Sequence, residues 1–353
     1  MTALNRRRFV GVASTTGVAA TMSQGVALAS GRDARKPHLV GVQADNGASV
    51  IAQNFLDSRT VDITIDSVAL GHTASARIIL PYRFRSRSSA SWPVLYLLHG
   101  GYGDYLSWAQ YSDIARLVRK RDVLVVMPDG GELGFYTDWW ARGAGNKPGW
   151  ETFHLVELSQ ILARGLRAAD RRAIAGLSMG GFGAMSYAAR HPGFFQAAAS
   201  FSGTLDTLHP TVEPVSSDPY PTWLLQTHIT PNGYDALSLF GDPTAQRAVW
   251  AAHNPADLVE HLRGTKLYVS CGNGRIGPLD PPGTDPSDVS VRFEASQLLQ
   301  NQEFVKRVTR LELDVAFETY AGTHTWPYWA RELEKAFPFL MRAIEAGTAK
   351  RSA

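Results

Sequence analysis

The chain has 353 residues, 44% of them hydrophobic, a formal net charge of +3 and a single cysteine. That is enough apolar material for one large core, and a lone cysteine excludes any disulfide within the chain. Beyond the N-terminus no stretch approaches the ~20 consecutive apolar residues of a membrane helix, so no membrane span is expected.

Residues 1–29 read as an export leader. Arg6-Arg7-Arg8-Phe9-Val10 resembles a twin-arginine signal, a mildly apolar run follows, and Ala27-Leu28-Ala29 offers a small-x-small cleavage site. The expected destination is outside the cell. The leader holds three arginines and no acidic residue, so its removal takes the net charge from +3 to zero. The basic balance is therefore no sign of a nucleic-acid partner.

Residues 30–60 are polar and are expected to form an extension ahead of the domain. "VDITIDSVAL" and "SARIILP" then alternate apolar and polar residues, which predicts an antiparallel pair turning at Gly71-His72. "PVLYLLHGG" and "DVLVVMPDGG" are continuous apolar runs ending in glycine, as suits strands buried on both faces of a parallel sheet. Between them "DYLSWAQYSDIARLVRKR" has the spacing of a helix. Another helix is expected over "ETFHLVELSQILARGLRAA", then a strand at "RRAIAG" and a helix at "GFGAMSYAARHP", stopped by Pro192. "FQAAASFSG", "TKLYVSCGNG" and "LDVAFETYAG" supply further strands. This alternation predicts one doubly wound, mostly parallel α/β domain over 61–345. Residues 204–262 break the pattern and are expected to form a helical insertion over the active edge, and 346–353 a tail. Cys271 follows an apolar run and is expected to be buried.

Gly176-Leu177-Ser178-Met179-Gly180 matches G-x-S-x-G between a strand and a helix. A strand-to-helix turn this tight crowds out neighbouring side chains, hence the glycines. It lifts the serine hydroxyl to the sheet edge, so Ser178 is expected to be a nucleophile. Such a hydroxyl needs a base, and the base an orienting carboxylate, in the chain order serine, acid, histidine. His324 follows a strand and a glycine in "AGTHTWPYW", so a loop delivers it to the same edge as base. For the acid, spacing leaves Asp280, Asp285, Asp288 and Glu294 open. The second oxyanion donor beside the N–H of Met179 is expected from the loop after the first buried strand, "LLHGGYGD". His99 in this loop reads as a turn residue hydrogen-bonded beneath it.

"YTDWW" (136–140), "WETF" (150–153), "GLSMGG" (176–181), "CGNG" (271–274) and "GTHTWPYW" (322–329) together resemble the antigen 85 mycolyltransferases and the esterase D-like proteins around them. The resemblance runs from about residue 60 to 345 and implies the α/β-hydrolase fold. It also implies Glu294 as the triad acid, because Asn301 and Phe304 follow it at the family's spacing of seven and ten. It places the second oxyanion donor on Gly101. Where the mycolyltransferases carry Asp-Gly, this chain has His99-Gly100, and their nearby arginine has no counterpart, which removes groups that seat trehalose.

The residues thus point to an exported serine acyl-ester hydrolase and acyltransferase working through an acyl-enzyme. An ester or acyl-glycolipid would be its substrate, and an alcohol or sugar the acceptor in transfer. The alternatives are a mycolyltransferase acting on trehalose or envelope glycolipids, and a non-catalytic secreted binding protein on the same scaffold. Trp326, Trp139 and Trp150 are expected to line the substrate cleft, with Trp140 and Trp223 as further candidates. No cofactor is expected, and no metal site, since the histidines lack ligand spacing.

Overall fold

The computed structural model describes residues 36–85, 89–140 and 148–345. The expected leader at 1–29 and tail at 346–353 lie outside the described residues. So do residues 141–147, which precede the "WETF" motif.

The chain opens with three antiparallel strands, β1 (Ser49–Phe55), β2 (Thr60–Ser67) and β3 (His72–Ile79). β2 and β3 are the expected alternating pair. The first strand was not foreseen. Only Val50 of its seven residues is buried, and a register shift between Val50 and Ala52 breaks the period of two by which a strand is recognised. The stretch 36–60 also differs from a free extension, because Leu39, Ala48 and Val50 are buried in the main core.

β4 (Trp92–Leu98) follows, then two short helices, α1 (Ser107–Tyr111) and α2 (Ile114–Leu117), and β5 (Leu124–Pro128). One helix was expected across this connection. The Ser112 hydroxyl donates to the carbonyl of Trp108, and Ser112 itself is extended, which ends the first helix. α3 (Trp150–Thr152) runs through a π-helical stretch, Phe153–Leu158, into α4 (Ser159–Leu166). β6 (Ala168–Leu177), α5 (Met179–Arg190) and β7 (Ala197–Phe201) come next.

The connection from β7 to β8 (Lys266–Gly272) is the expected insertion. It holds α6 (Tyr220–Leu224), a π-helical stretch (Leu225–Ile229), a 3-10 turn (Thr230–Asn232), α7 (Arg247–Ala251) and a second 3-10 turn (Val259–Leu262). α8 (Val289–Arg310), β9 (Val315–Tyr320) and α9 (Trp326–Glu345) complete the chain.

The nine strands form one sheet in the order β1-β2-β3-β5-β4-β6-β7-β8-β9, parallel from β5 through β9. Every residue of β4, β5 and β7 is buried. Alternate residues feed two cores: Tyr96, Val126 and Ile174 face Phe153, Leu158 and Phe182, while Leu95, Val125 and Ala173 face Trp108, Leu333 and Leu340. Helices therefore cover both faces, which explains the uninterrupted apolar runs. From β4 the chain passes to β5 on one side and later to β6 on the other. The connection leaving β4 for β5 and the one leaving β6 for β7 therefore run in opposite directions from two paired strand ends, and α/β folds place ligands in the crevice between such connections. Among the described residues no helix is long and apolar enough to cross a membrane.

Candidate active site

Ser178 stands at that crevice, one residue past β6. Its backbone is at φ 51 and ψ −120, a region glycine enters freely and other residues rarely. The flanking glycines make the turn possible. A Cβ on Gly176 would fall 2.1 Å from the carbonyl oxygen of Gly180, and one on Gly180 would fall 2.3 Å from that of Leu98. The Ser178 N–H donates to the Phe201 carbonyl at 2.9 Å, and its own carbonyl accepts the N–H of Phe182 at 3.1 Å, starting α5.

The loop after β9 brings His324 to the serine. Nε2 lies 3.0 Å from Ser178 Oγ and Nδ1 lies 2.6 Å from Glu294 Oε2. Glu294 sits near the start of α8 and is fully buried. Its other oxygen accepts from the Ser202 hydroxyl and the Gly272 N–H, each at 2.6 Å, with the Cys271 thiol at 3.6 Å. Asn301, on the same helix, donates to the Gly203 carbonyl at 2.7 Å, and Phe304 is buried, so the spacing of seven and ten lies along one packed face. The three aspartates are occupied otherwise. Asp288 caps α8, Asp285 accepts from Ser287, and Asp280 accepts from Thr323 of the loop that carries His324 and from Tyr328 in the first turn of α9. Burial, and then the Glu294 carboxylate beside it, push the Cys271 thiol well above its ordinary range.

Two supports of this arrangement escaped the sequence reading. Ser202 follows β7 at φ 50, and its oxygen accepts the indole N–H of Trp329 at 3.1 Å. An indole nitrogen can only donate, so the Ser202 hydrogen is directed to Glu294. Phe293 and Trp329 pack edge-on against His324 at 4.8 and 4.9 Å. A serine just past the carboxyl end of β7, the strand next to the one that carries Ser178, was the available signal.

A cleft of about 660 Å³ opens over the serine, lined in part by Gly100, Gly101, Ser178, Met179 and His324. Among the described residues, the N–H groups of Gly101 and Met179 have no acceptor within the protein. His99 lies beneath, 1% exposed, as the turn reading expects. Trp326 lines the cleft, and so does Trp223 from α6 of the insertion. Trp139 and Trp150 do not reach it. Trp139 is buried with its indole N–H on the Gly134 carbonyl, and Trp150 is buried and stacked on His154. Both fill the core, where a large apolar ring is equally at home. Residues not foreseen in the lining include Tyr102, Phe135, Tyr220, His228 and Phe293.

Tyr102 and His228 meet across the rim. The Tyr102 hydroxyl lies 2.9 Å from His228 Nδ1, and Asn232 donates to it at 3.0 Å. Burial lowers the His228 pKa.

A hydroxyl raised on a strand–helix turn and faced by a histidine from the last loop is what the α/β-hydrolases place at this crevice, and the chain is of that class. Residues 67–340 match the Esterase family model, described as "Putative esterase". The diacylglycerol acyltransferase/mycolyltransferase Ag85B of Mycobacterium intracellulare is 31% identical over 277 residues, which cover 75% of this chain and 79% of that one. Esterase Rv1288 of Mycobacterium tuberculosis is 28% identical over 290 residues, 79% of this chain, which spans 59% of that protein's length. Among solved structures, MPT51 (FbpC1) of Mycobacterium tuberculosis aligns with a TM-score of 0.62 at 23% identity, covering 79% of this chain and 96% of that one. An S-formylglutathione hydrolase from Agrobacterium tumefaciens gives 0.61 at 17% identity, covering 84% and 99%. At those identities the two structures bear on the fold alone. The chain belongs to the antigen 85 and esterase D-like family of α/β-hydrolases.

Proposed function

We propose that the protein is an exported serine acyl-ester hydrolase with acyltransferase capacity, acting through an acyl-enzyme on Ser178. The observation that carries this reading is the unbroken line of hydrogen bonds from Ser178 Oγ through both nitrogens of His324 to buried Glu294. His324 Nε2 takes the hydroxyl proton as Oγ attacks the ester carbonyl, and then gives it to the departing alcohol. Glu294 fixes the tautomer by accepting from Nδ1 and stabilises the imidazolium that forms. The Gly101 and Met179 N–H groups receive the oxyanion. Water or a bound alcohol then gives its proton to His324 and takes the acyl group, and the bond to Oγ breaks as His324 returns the proton to Ser178. We place the protein outside the cell on the strength of the twin-arginine leader.

Transfer to a sugar or other alcohol is the second reading. It is favoured by Tyr111, 54% exposed and 5.0 Å from Trp326, with Gln110 and Asp104 beside them in the cleft lining. Aromatic faces next to polar groups suit a ring bearing hydroxyls. Labelling by a fluorophosphonate, abolished in Ser178→Ala, tests the nucleophile. Unreduced labelling of that variant refutes it, and a protein that is never labelled is a binder. Product analysis with a short acyl ester, with and without trehalose, separates the two enzymatic readings. Acylated sugar in excess of free acid would favour transfer.

A further inference from the structure

The reaction does not touch His99. The ring is buried and does not line the cleft, whereas the next two residues, Gly100 and Gly101, do. Both ring nitrogens are engaged. The N–H of Gly130 donates to Nε2 at 2.9 Å, whereas the Asp129 carboxylate stands 3.7 Å away, beyond hydrogen-bond distance, and a nitrogen that accepts carries no proton. The proton is therefore on Nδ1, which donates to the carbonyl oxygen of Gly100 at 2.7 Å.

The Gly100 carbonyl and the Gly101 N–H are two ends of one peptide group. Among the described residues the sole cis peptide precedes Pro214, so this group is trans and planar, with its C=O and N–H pointing in opposite directions. To hold the oxygen is to aim the hydrogen. Two successive glycines leave this plane unusually free to turn, and a second bond, from the Gly103 N–H at 3.2 Å, grips the same oxygen. Gly100 also abuts the nucleophile's turn, since a Cβ there would lie 3.4 Å from that of Ser178.

We propose that His99 is a positioning residue. Its Nδ1–H holds the Gly100–Gly101 peptide so that the Gly101 N–H faces the oxyanion formed at Ser178. This rests on the reading of Ser178 as nucleophile and Gly101 as oxyanion donor.

The test is a pair of amide variants. An asparagine amide sits where Nδ1 sits and can still donate to Gly100, while a glutamine amide reaches toward Gly130 and leaves Gly100 without its donor. With a short nitrophenyl ester, His99→Gln and His99→Leu should lose ~100-fold in kcat, as for removal of one oxyanion donor, with KM within about threefold. His99→Asn should regain at least ~10-fold of that loss. Tyr136→Phe is the stability control. The Tyr136 hydroxyl donates to the His99 carbonyl at 2.9 Å, so its loss loosens the same strand end without touching the peptide. It should lower Tm and leave kcat within about threefold of the parent.

The proposal is overturned if His99→Asn is as slow as His99→Leu, or if His99→Gln turns over like the parent. It is also overturned if Tyr136→Phe loses as much kcat as His99→Gln. Should the leucine variant not fold, the two amide variants decide. Ser178→Ala in parallel keeps the two readings apart. Full activity in that variant defeats the proposed function itself, whereas a dead Ser178→Ala beside a normal His99→Gln defeats only the role of His99.

Discussion

The two walls of the cleft are built from different material. On the sheet side, Gly101, Ser178 and His324, together with the buried supporting Ser202, each lie within four residues of the carboxyl end of a strand, and those strands are locked in one parallel register. On the other side, Trp223, Leu224 and His228 come from helical segments of five residues each, in a connection of about sixty residues that contains no strand among its described residues. The first wall hangs from hydrogen-bonded strands, which hold reacting groups more precisely than loops do, as bond-making requires. The second offers aromatic surface whose shape can vary without disturbing the sheet. Chemistry should therefore be sensitive to one wall, and substrate choice to the other.

Glu294→Gln should break the comparison hardest. The amide keeps the shape but not the charge that orients the imidazole, so kcat should fall by roughly 10³-fold or more with KM little changed, as steady-state kinetics would register. A loss under tenfold would take Glu294 out of the mechanism.

The support beneath the sheet-side wall predicts a pH effect on stability. His154 donates to the Asp129 carbonyl and accepts from the Tyr187 hydroxyl, and burial pushes its pKa down to about 4 from 6.5. The unfolded chain thus takes up a proton first as the pH falls. Stability is fully present above about pH 6.5 and is lost progressively toward pH 4, by about 3 kcal/mol in total. Burial moves His228 and His253 the same way, so the clean measurement is the difference between the parent and His154→Gln in urea midpoint against pH. Parallel curves between pH 6.5 and 4 would refute it.

Trp223→Ala sharpens the other side. It removes a ring that contacts both Phe293 and His228. We expect kcat/KM for the best acyl group to drop about tenfold, with kcat on the shortest ester within about threefold, because the loss is mainly apolar contact with the acyl chain. A uniform fall across chain lengths would mean that this wall does more than select. The smallest effect is expected from Tyr102→Phe, which cuts an exposed bridge to His228 and Asn232 and should change stability by less than about 1 kcal/mol. A larger loss of Tm would make the rim a structural tie.

The same division governs how much could be read from residues alone. β4 and β5 were legible because both of their faces are buried, and Ser178 because the glycines around it leave a fixed pattern. His324 followed from a loop after a strand. Glu294 was not legible from local chemistry. It lies inside a helix, and only the family spacing through Asn301 and Phe304 singled it out from three loop aspartates that have work elsewhere. Aromatic residues were read least well, since Trp139 and Trp150 bury themselves while Trp223 and Trp326 face the cleft, and nothing in a lone tryptophan tells the two apart. The bulged β1, with Val50 alone buried, gave no periodic signal at all. Ser202 passed unnoticed because a small polar residue after a strand is common, and its partners lie 92 and 127 residues further along the chain.

The left-handed backbone at Ser178 has an evolutionary side. Glycine would sit at φ 51 without steric objection, so Ser178→Gly should melt higher than the parent while losing its reaction altogether. A parent that melts below its glycine variant would carry a standing cost in stability at this position for the sake of one oxygen atom.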